Sequence, residues 1–420
     1  MTGPQGTPDE AGSMGAAIVD RLTKLAAVSD EEGGLTRLYL SPAHRKAADL
    51  VLDWMRHAGM SARIDAVGSV IGRYEADRPN ARTLILGSHI DTVRQAGAYD
   101  GNLGVVTAIE VVRRLHVEGR RAPFAIEVAA FGDEEGVRFP STLGGSRALA
   151  GRLDPAILDE RDAEGVSRRE ALVAFGCDPT RIAEEARHPR DVVGYVEAHI
   201  EQGPVLEAEN QRVGIVTAIN GASRGEVKLT GESGHAGAVP MSLRRDALAA
   251  AAAMVSAVES RAAMDQDLVA TVGRLEIAHP ATNTIPGAVA FTLDIRSPDD
   301  RARKAAVRDI VDRVEEIARG RGVHARIDIG YEATACRSDL HLSDALAAAV
   351  KRLGMTERRL PSGAGHDAMA FDGRIPFAML FVRCRGGVSH DPAEYASPDD
   401  IEIGARVLLD FIDHLAPANA

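Results

Sequence analysis

The chain has 420 residues, 45% of them hydrophobic and 26% charged, with a formal net charge of −12. That length suggests two or three domains with enough apolar material for real cores, and the acidic balance excludes a basic footprint for nucleic acid or an anionic membrane. Cys177, Cys336 and Cys384 are odd in number and far apart, so neither a disulfide framework nor a thiolate metal knuckle follows, and a reducing cytoplasm fits.

The first stretch, MTGPQGTPDEAGSMGAA, has neither the basic nor the apolar region of a signal peptide and reads as a frayed tail. No segment is apolar over a length that spans a bilayer. From about Gly15 helices and strands alternate. HRKAADLVLDWMRHAGM carries apolar residues at helical spacing, ARTLILGSHID is an apolar strand running into polar residues, and GVVTAIEVVRRLHVEG is a helix with a basic last turn and a Gly stop. PFAIEVAAFGDEEG and VVGYVEAHIEQG read as further strands. Continuous apolar strands separated by helices argue for an α/β domain with a mostly parallel sheet, whose ligands sit at the carboxyl ends of the strands. Near residue 213 the pattern changes. RVGIVTAINGASRGEVKLTGE suggests strands joined by an Asn-Gly hairpin, followed by a helix over 242–261, the strands LVATVGRLEIA and AVAFTLDIRS, a long helix and the strand HARIDIGYEA. This order suits a smaller α/β sandwich, a four-stranded antiparallel sheet with two helices. After about residue 335 the first pattern returns. The expected organisation is a catalytic domain over 15–213 and 332–420, interrupted by an inserted domain over 214–331.

One short run calls for explanation. AFGDEEGVRF sets Asp133, Glu134 and Glu135 where a buried strand leaves the core. Like charges this close repel, and burying them is costly without a cation. A solvated loop or a first helical turn is the plain explanation; a metal site with a general base beside it is the sharper one. Neighbouring motifs decide. In GSHIDTVRQAGAYDGNLG, His89 and Asp91 stand two apart on a strand, and Asp100 precedes Gly101 at a helix start. Taken singly, His89 reads as a core histidine and Asp100 as a helix cap. With the acid triplet at a neighbouring strand end, His199 at a third and His390 in a Gly-rich loop, the metal reading is favoured. Carboxylates mixed with imidazoles suit Zn, Mn, Co or Ni.

At these residues the chain resembles the amidase/carbamoylase group of dinuclear metallohydrolases, which includes allantoate amidohydrolases, N-carbamoyl-L-amino acid hydrolases and β-ureidopropionases. GSHIDTV, YDG, FGDEEGVRFPSTLGGSRALAG, EAHIEQGPVLE, GHAGAVPM, NTIPG, DIRSPD, SGAGHDA and GGVSHDPAE follow in the group's order. GGLTRLYLSPAHRKAADLV and GSHIDTVRQAGAYDGNLG are most similar to the allantoate enzymes.

The resemblance implies two divalent metal ions per subunit, Zn or Mn foremost, with Co or Ni as alternatives. Asp100 would bridge them, His89 and His199 completing one site and Glu135 and His390 the other. Glu134 would be the general base; Asp91, read from its spacing alone, stands either behind a metal-bound His89 imidazole or in another supporting role. From the inserted domain His235 would polarise the substrate carbonyl, and Asn283 and Arg296 would hold the substrate carboxylate, with Gln202 lining the pocket. A strand arginine paired with Asp294 is the plain alternative for Arg296. The implied partners are a small ureido acid substrate and a second copy of the chain, whose inserted domain completes the site. Ala238 and Ser69 depart from the group's usual Thr and Asn. His366 and Asp367, in SGAGHDA, are expected near the metals in a supporting role.

Overall fold

A computed structural model describes residues 13–416; the part of the expected N-terminal tail before Ser13 lies outside them. From Met14 the chain is already helical. In chain order, helices α1 (Met14–Ala26) and α2 (Pro42–His57) are followed by strands β1 (Ser61–Ile64), β2 (Val70–Tyr74) and β3 (Thr83–His89). Next come α3 (Asn102–Val117), β4 (Ala125–Phe131), α4 (Gly144–Leu149), α5 (Arg168–Phe175), β5 (Val192–Ile200), α6 (Val205–Ala208) and β6 (Val213–Ile219). The middle of the chain carries β7 (Gly221–Thr230), β8 (Gly234–His235), α7 (Ala247–Ala262), β9 (Val269–Thr271), β10 (Leu275–Ile277), β11 (Thr284–Ile285), β12 (Ala288–Ser297), α8 (Asp300–Arg321) and β13 (His324–Ala333). The last part adds β14 (Cys336–Arg337), α9 (Leu340–Arg352), β15 (Arg359–Ser362), β16 (Phe377–Val382) and α10 (Pro398–His414).

Two units emerge. The first comprises residues up to 217, 338–360 and from 366 on; the second comprises 218–337 with 361–365. The first is built on a mixed sheet of order β1-β2-β4-β3-β5-β16-β6. Its centre is parallel, with β4, β3, β5 and β16 paired in turn, and its flanks are antiparallel. Every residue of β3, β4, β5 and β16 is buried. This is what continuous apolar runs require, since a parallel sheet is covered on both faces. Ile18, Val51, Val106, Leu380 and Phe411 join sheet and helices in one core.

In the second unit β12 alternates buried and half-buried residues along its length, so one face meets α7 and α8 and the other faces outward. Val227, Met254, Phe291, Ile310 and Val314 form its core. The expected strand over LVATVGRLEIA is broken into β9 and β10, both of which pair with β12. The expected Asn-Gly hairpin does not form. A two-residue hairpin of that type needs positive φ at both positions, and neither Asn220 nor Gly221 has it. Instead Asn220 donates its amide to Ser362, and the chain passes from β6, paired with β16, to β7, paired with β12 and β13. Among the described residues no helix is long and apolar enough to cross a membrane.

Arg37 ties the first unit together beneath the strand ends. Its buried guanidinium donates to the carbonyls of Leu25, Val28 and Ile90 and to Asn102 Oδ1, linking the end of α1, the exit of β3 and the start of α3. Arg37→Ala would leave several buried acceptors unsatisfied. We expect a loss of at least about 3 kcal/mol of unfolding free energy, read from urea denaturation.

Candidate metal centre

The side chains that could bind metal lie at the carboxyl ends of β3, β4 and β5 and in the loop after β16. His89 is the last residue of β3 and His199 the second-to-last of β5. Asp100 sits just before Gly101, the cap of α3. His390 follows β16 and has φ 56°, a left-handed conformation that an L residue adopts only when its surroundings impose it. Gln202 and Asp133 share this property, with φ 56° and 75°.

These residues converge on Asp100. Its Oδ1 lies 3.1 Å from His199 Nε2 and 3.6 Å from His89 Nε2, and its Oδ2 lies 3.2 Å from His390 Nε2. His390 Nε2 is also 3.7 Å from Glu135. Two candidate ligand groups therefore share Asp100: His89 with His199, and Glu135 with His390. Further candidate groups, His89 with Glu134 and Glu135, and Glu197 with His199 and His366, overlap the first two.

The tautomers follow from the backbone. His89 Nδ1 faces the Asp91 carbonyl at 3.0 Å and His199 Nδ1 faces the Ile200 carbonyl at 2.9 Å. A carbonyl only accepts, so both Nδ1 atoms carry a proton, and Nε2 is the ring nitrogen that each residue turns toward Asp100. The Gly101 amide nitrogen lies 3.2 Å from His199 Nε2. Imidazoles oriented in this way suit metal ligation.

The electrostatics point the same way. Burial disfavours the charged form of Asp100, but hydrogen bonds from His199, His390 and His89 outweigh it and hold the carboxyl well below its usual range. Burial raises Glu134 well above its ordinary value, with His89 opposing and Glu135 and Asp367 adding to the rise. Burial likewise pushes Glu135 up to about 7 against His89 and His390. A buried acid cluster of this kind is held ionised most readily by cations, and the mixed imidazole and carboxylate donor set fits divalent metal ions.

The acid triplet divides into two directions. Asp91 accepts the amides of Glu134 and Glu135, each at 3.2 Å, while its carboxylate stays 3.8 Å from His89 Nδ1. Asp91 thus orients the triplet's backbone, and its own carbonyl, not its carboxylate, is the nearer partner of His89. Asp133 turns the other way and forms a buried ion pair with Arg168. Burial drives the Asp133 carboxyl up to about 7, with Arg168 opposing.

Gln202 donates to Asp100 Oδ2 at 2.8 Å and to Ser389 Oγ at 3.0 Å. Ser389 donates to the same Asp100 oxygen, and Glu394 accepts the amides of Tyr99 and Asp100 at 2.7 and 2.9 Å. The His366 ring packs edge-on against His199, with centroids 4.5 Å apart, and Asp367 is fully buried. Sequence reasoning missed Arg168, Glu197, Ser389 and Glu394. Glu394, four residues after His390, and Glu197, an acid inside an apolar strand, carried local signals; Arg168, 35 residues from Asp133, carried none.

In the second unit His235 and Asn283 are brought together by a two-stranded ribbon in which Thr284 pairs with His235 and Ala236 donates to the Asn283 carbonyl. His235 Nδ1 accepts the Gly237 amide at 3.2 Å, which leaves an exposed Nε2–H as donor. Arg296 lines a groove of about 580 Å³ with Arg224, Thr271 and Thr292. Its fork is paired with Asp294 at 2.8 and 2.7 Å, and its third bond goes to the Gly363 carbonyl at 2.7 Å. The plain pairing with Asp294 is therefore present, and two of the five guanidinium N–H groups remain.

Gly101 has φ 65°, and a Cβ there would lie 2.4 Å from the His89 ring. Gly101→Ala should displace that imidazole. We expect metal retained after dialysis to fall at least about tenfold by elemental analysis.

Comparison with known proteins agrees with this architecture. The model of peptidase family M20/M25/M40 matches residues 85–414. The chain is 42% identical to an N-carbamoyl-L-amino acid amidohydrolase of Geobacillus stearothermophilus, over 96% of this chain and 99% of that protein. It is 40% identical to allantoate deiminase 1 of Glycine max, over 95% and 89% of the respective chains. The crystal structure of an amidase of the hydantoinase/carbamoylase family from Burkholderia multivorans superposes with a TM-score of 0.90 at 33% identity, covering 95% of this chain and 97% of that one. With similarity along nearly its whole length, the chain belongs to peptidase family M20/M25/M40.

Proposed function

We propose that this protein is a metal-dependent amidohydrolase that cleaves the ureido C–N bond of allantoate, releasing ammonia and CO2. The observation that carries the reading is the pair of ligand groups sharing Asp100 with Glu134 beside them. The relatives named for allantoate and for N-carbamoyl amino acids support hydrolysis of a ureido group. A ureido carbonyl is a poor electrophile because two nitrogens donate into it. A strong nucleophile and a stabilised oxyanion are both needed. When bound, a pair of divalent ions supplies Lewis acidity that makes water a nucleophile near neutral pH.

The chain's own groups do the rest. Glu134 takes a proton from the attacking water and delivers it to the departing nitrogen. His235, through its Nε2–H, donates to the oxygen on which negative charge develops, a contact worth about 3–4 kcal/mol. The C–N bond breaks with its electron pair leaving on nitrogen as ammonia, and the remaining carbamate loses CO2. Arg296 and Asn283 bind the substrate carboxylate, Arg296 through its free N–H groups or by exchange with Asp294. Asp91, Gln202, Ser389 and Glu394 hold the carboxylates and the loops that carry them. The enzyme is read as a cytoplasmic homodimer whose inserted domain completes the partner's site. Cys177, Cys336 and Cys384 form no disulfide among the described residues, in keeping with a reducing setting.

A second reading keeps the chemistry and exchanges the substrate for an N-carbamoyl-L-amino acid or β-ureidopropionate. The identity to the Geobacillus enzyme favours it as much as the identity to the soybean enzyme favours allantoate. Ammonia release by chelator-stripped protein, supplemented in turn with Mn²⁺, Zn²⁺, Co²⁺ or Ni²⁺, should be fastest with allantoate. Faster turnover of a carbamoyl amino acid would move the protein to the second reading, and no turnover with any metal would overturn both. Glu134→Gln should lower kcat by about 10²–10⁴-fold with metal content unchanged. Arg296→Ala should raise KM at least about tenfold while changing kcat far less; unaltered kinetics would remove its carboxylate role.

A further inference from the structure

Arg168 lies at the start of α5, far in sequence from every motif that forms the metal centre, and its side chain is buried. Three of its contacts, to Asp133, Phe139 and Ser141, fall on the loop after β4. One guanidinium nitrogen pairs with Asp133. The other donates to the Ser141 carbonyl and to Glu160, each at 3.1 Å. The cation lies over the rings of Phe139 and Tyr39, at 4.6 and 5.6 Å from their centroids. Ser167 and Glu170 form a capping box at the same helix start, which fixes where Arg168 begins.

The loop it grips is the one that carries Glu134 and Glu135. Asp133 has φ 75°, a conformation that costs an L residue about 1–3 kcal/mol and persists only when the surroundings over-determine it. Its carbonyl accepts the Leu143 amide at 2.6 Å, and Gly144 approaches so closely that a Cβ there would lie 2.6 Å from Asp133 Oδ2. On the opposite side Asp91 holds the next two amides. The left-handed residue is what sends Asp133 one way and Glu134 and Glu135 the other.

We propose that Arg168 is a positioning residue for the reaction: through Asp133 it holds the left-handed turn that aims Glu134 and Glu135 at the cluster around Asp100. The inference rests on the reading of Glu134 as base and Glu135 as ligand. It also predicts an asymmetry. Glu135 shares one ligand group with Asp100 and His390 and another with Glu134 and His89, but is absent from the group of His89, Asp100 and His199, so loosening the turn should weaken the site that Glu135 serves and spare the His89–Asp100–His199 site.

The test uses the full chain, stripped of metal and titrated with Mn²⁺ by calorimetry, beside kinetics on the preferred ureido substrate. Arg168→Met should weaken one of two Mn²⁺ sites by about 10–100-fold and leave the other within about threefold. kcat should fall over the same range with KM within about threefold. Asp133→Asn should do the same, and Arg168→Met combined with Asp133→Asn should be no worse than the poorer single variant, because the pair acts as one unit. Arg168→Lys, which keeps the charge and loses the fork, should recover part of the loss. If Arg168→Met does not fold, Arg168→Lys and Asp133→Asn carry the same comparison. Arg169→Gln, at an exposed neighbour, should match the unaltered protein. Unaltered Mn²⁺ affinities in folded variants, equal weakening of both sites, or additive losses in the double variant would each overturn the proposal. The calorimetric readout decides it even if no ureido substrate is turned over, so its failure is distinguishable from failure of the functional reading.

Discussion

The convergence of three imidazoles on the carboxylate of Asp100 is the interaction on which the rest of the first unit depends. A buried carboxylate is costly unless it is compensated. Here the compensation is shared among His89, His199 and His390, which arrive from two strand ends and a distant loop. Each has to be held at the correct angle. For His89 and His199 the backbone does this, because a carbonyl beside Nδ1 fixes both ring orientation and tautomer. His390 is held differently, by a left-handed backbone and by a loop stitched to Asp100 through Ser389 and Glu394.

The parallel centre of the sheet makes this convergence possible. Parallel neighbours end on the same side, so the exits of β3, β4 and β5 bring His89, the acid triplet and His199 within reach of one another. The antiparallel flanks contribute no candidate ligand. Close packing beneath the site is equally strict. Arg37 joins three backbone segments there, and Gly101 leaves room for the His89 ring where any side chain would intrude.

The three consecutive acids illustrate how one stretch of sequence divides its labour. Their charges are alike, yet a single left-handed residue separates them. Asp133 is neutralised by a buried arginine, whereas Glu134 and Glu135 face imidazoles. Burial raises all three carboxyls, whichever way they turn.

Much of this was legible in the residues alone. Continuous apolar runs identify β3, β4, β5 and β16 because a strand covered on both faces admits nothing else, and the alternation of AVAFTLDIRS identifies the one-sided sheet of the second unit. His89, Glu135 and His199 stood out as polar residues where apolar strands end, His390 as a histidine in a Gly-rich loop, and Asp100 as an acid just before a helix start. Other features were decided only in three dimensions. The Asn-Gly pair looked like a hairpin, but turn type depends on backbone angles, and here strand pairing drew β6 and β7 into different sheets. Arg168 meets Asp133 across 35 residues, and Ser389 meets Asp100 across 289. No local pattern encodes such pairings, because the low-dielectric interior in which they matter exists only once the chain has folded. The sequence by itself determined which chemically capable side chains the chain carries; the tertiary structure decided which acids join the imidazole cluster around Asp100 and which pairs with Arg168.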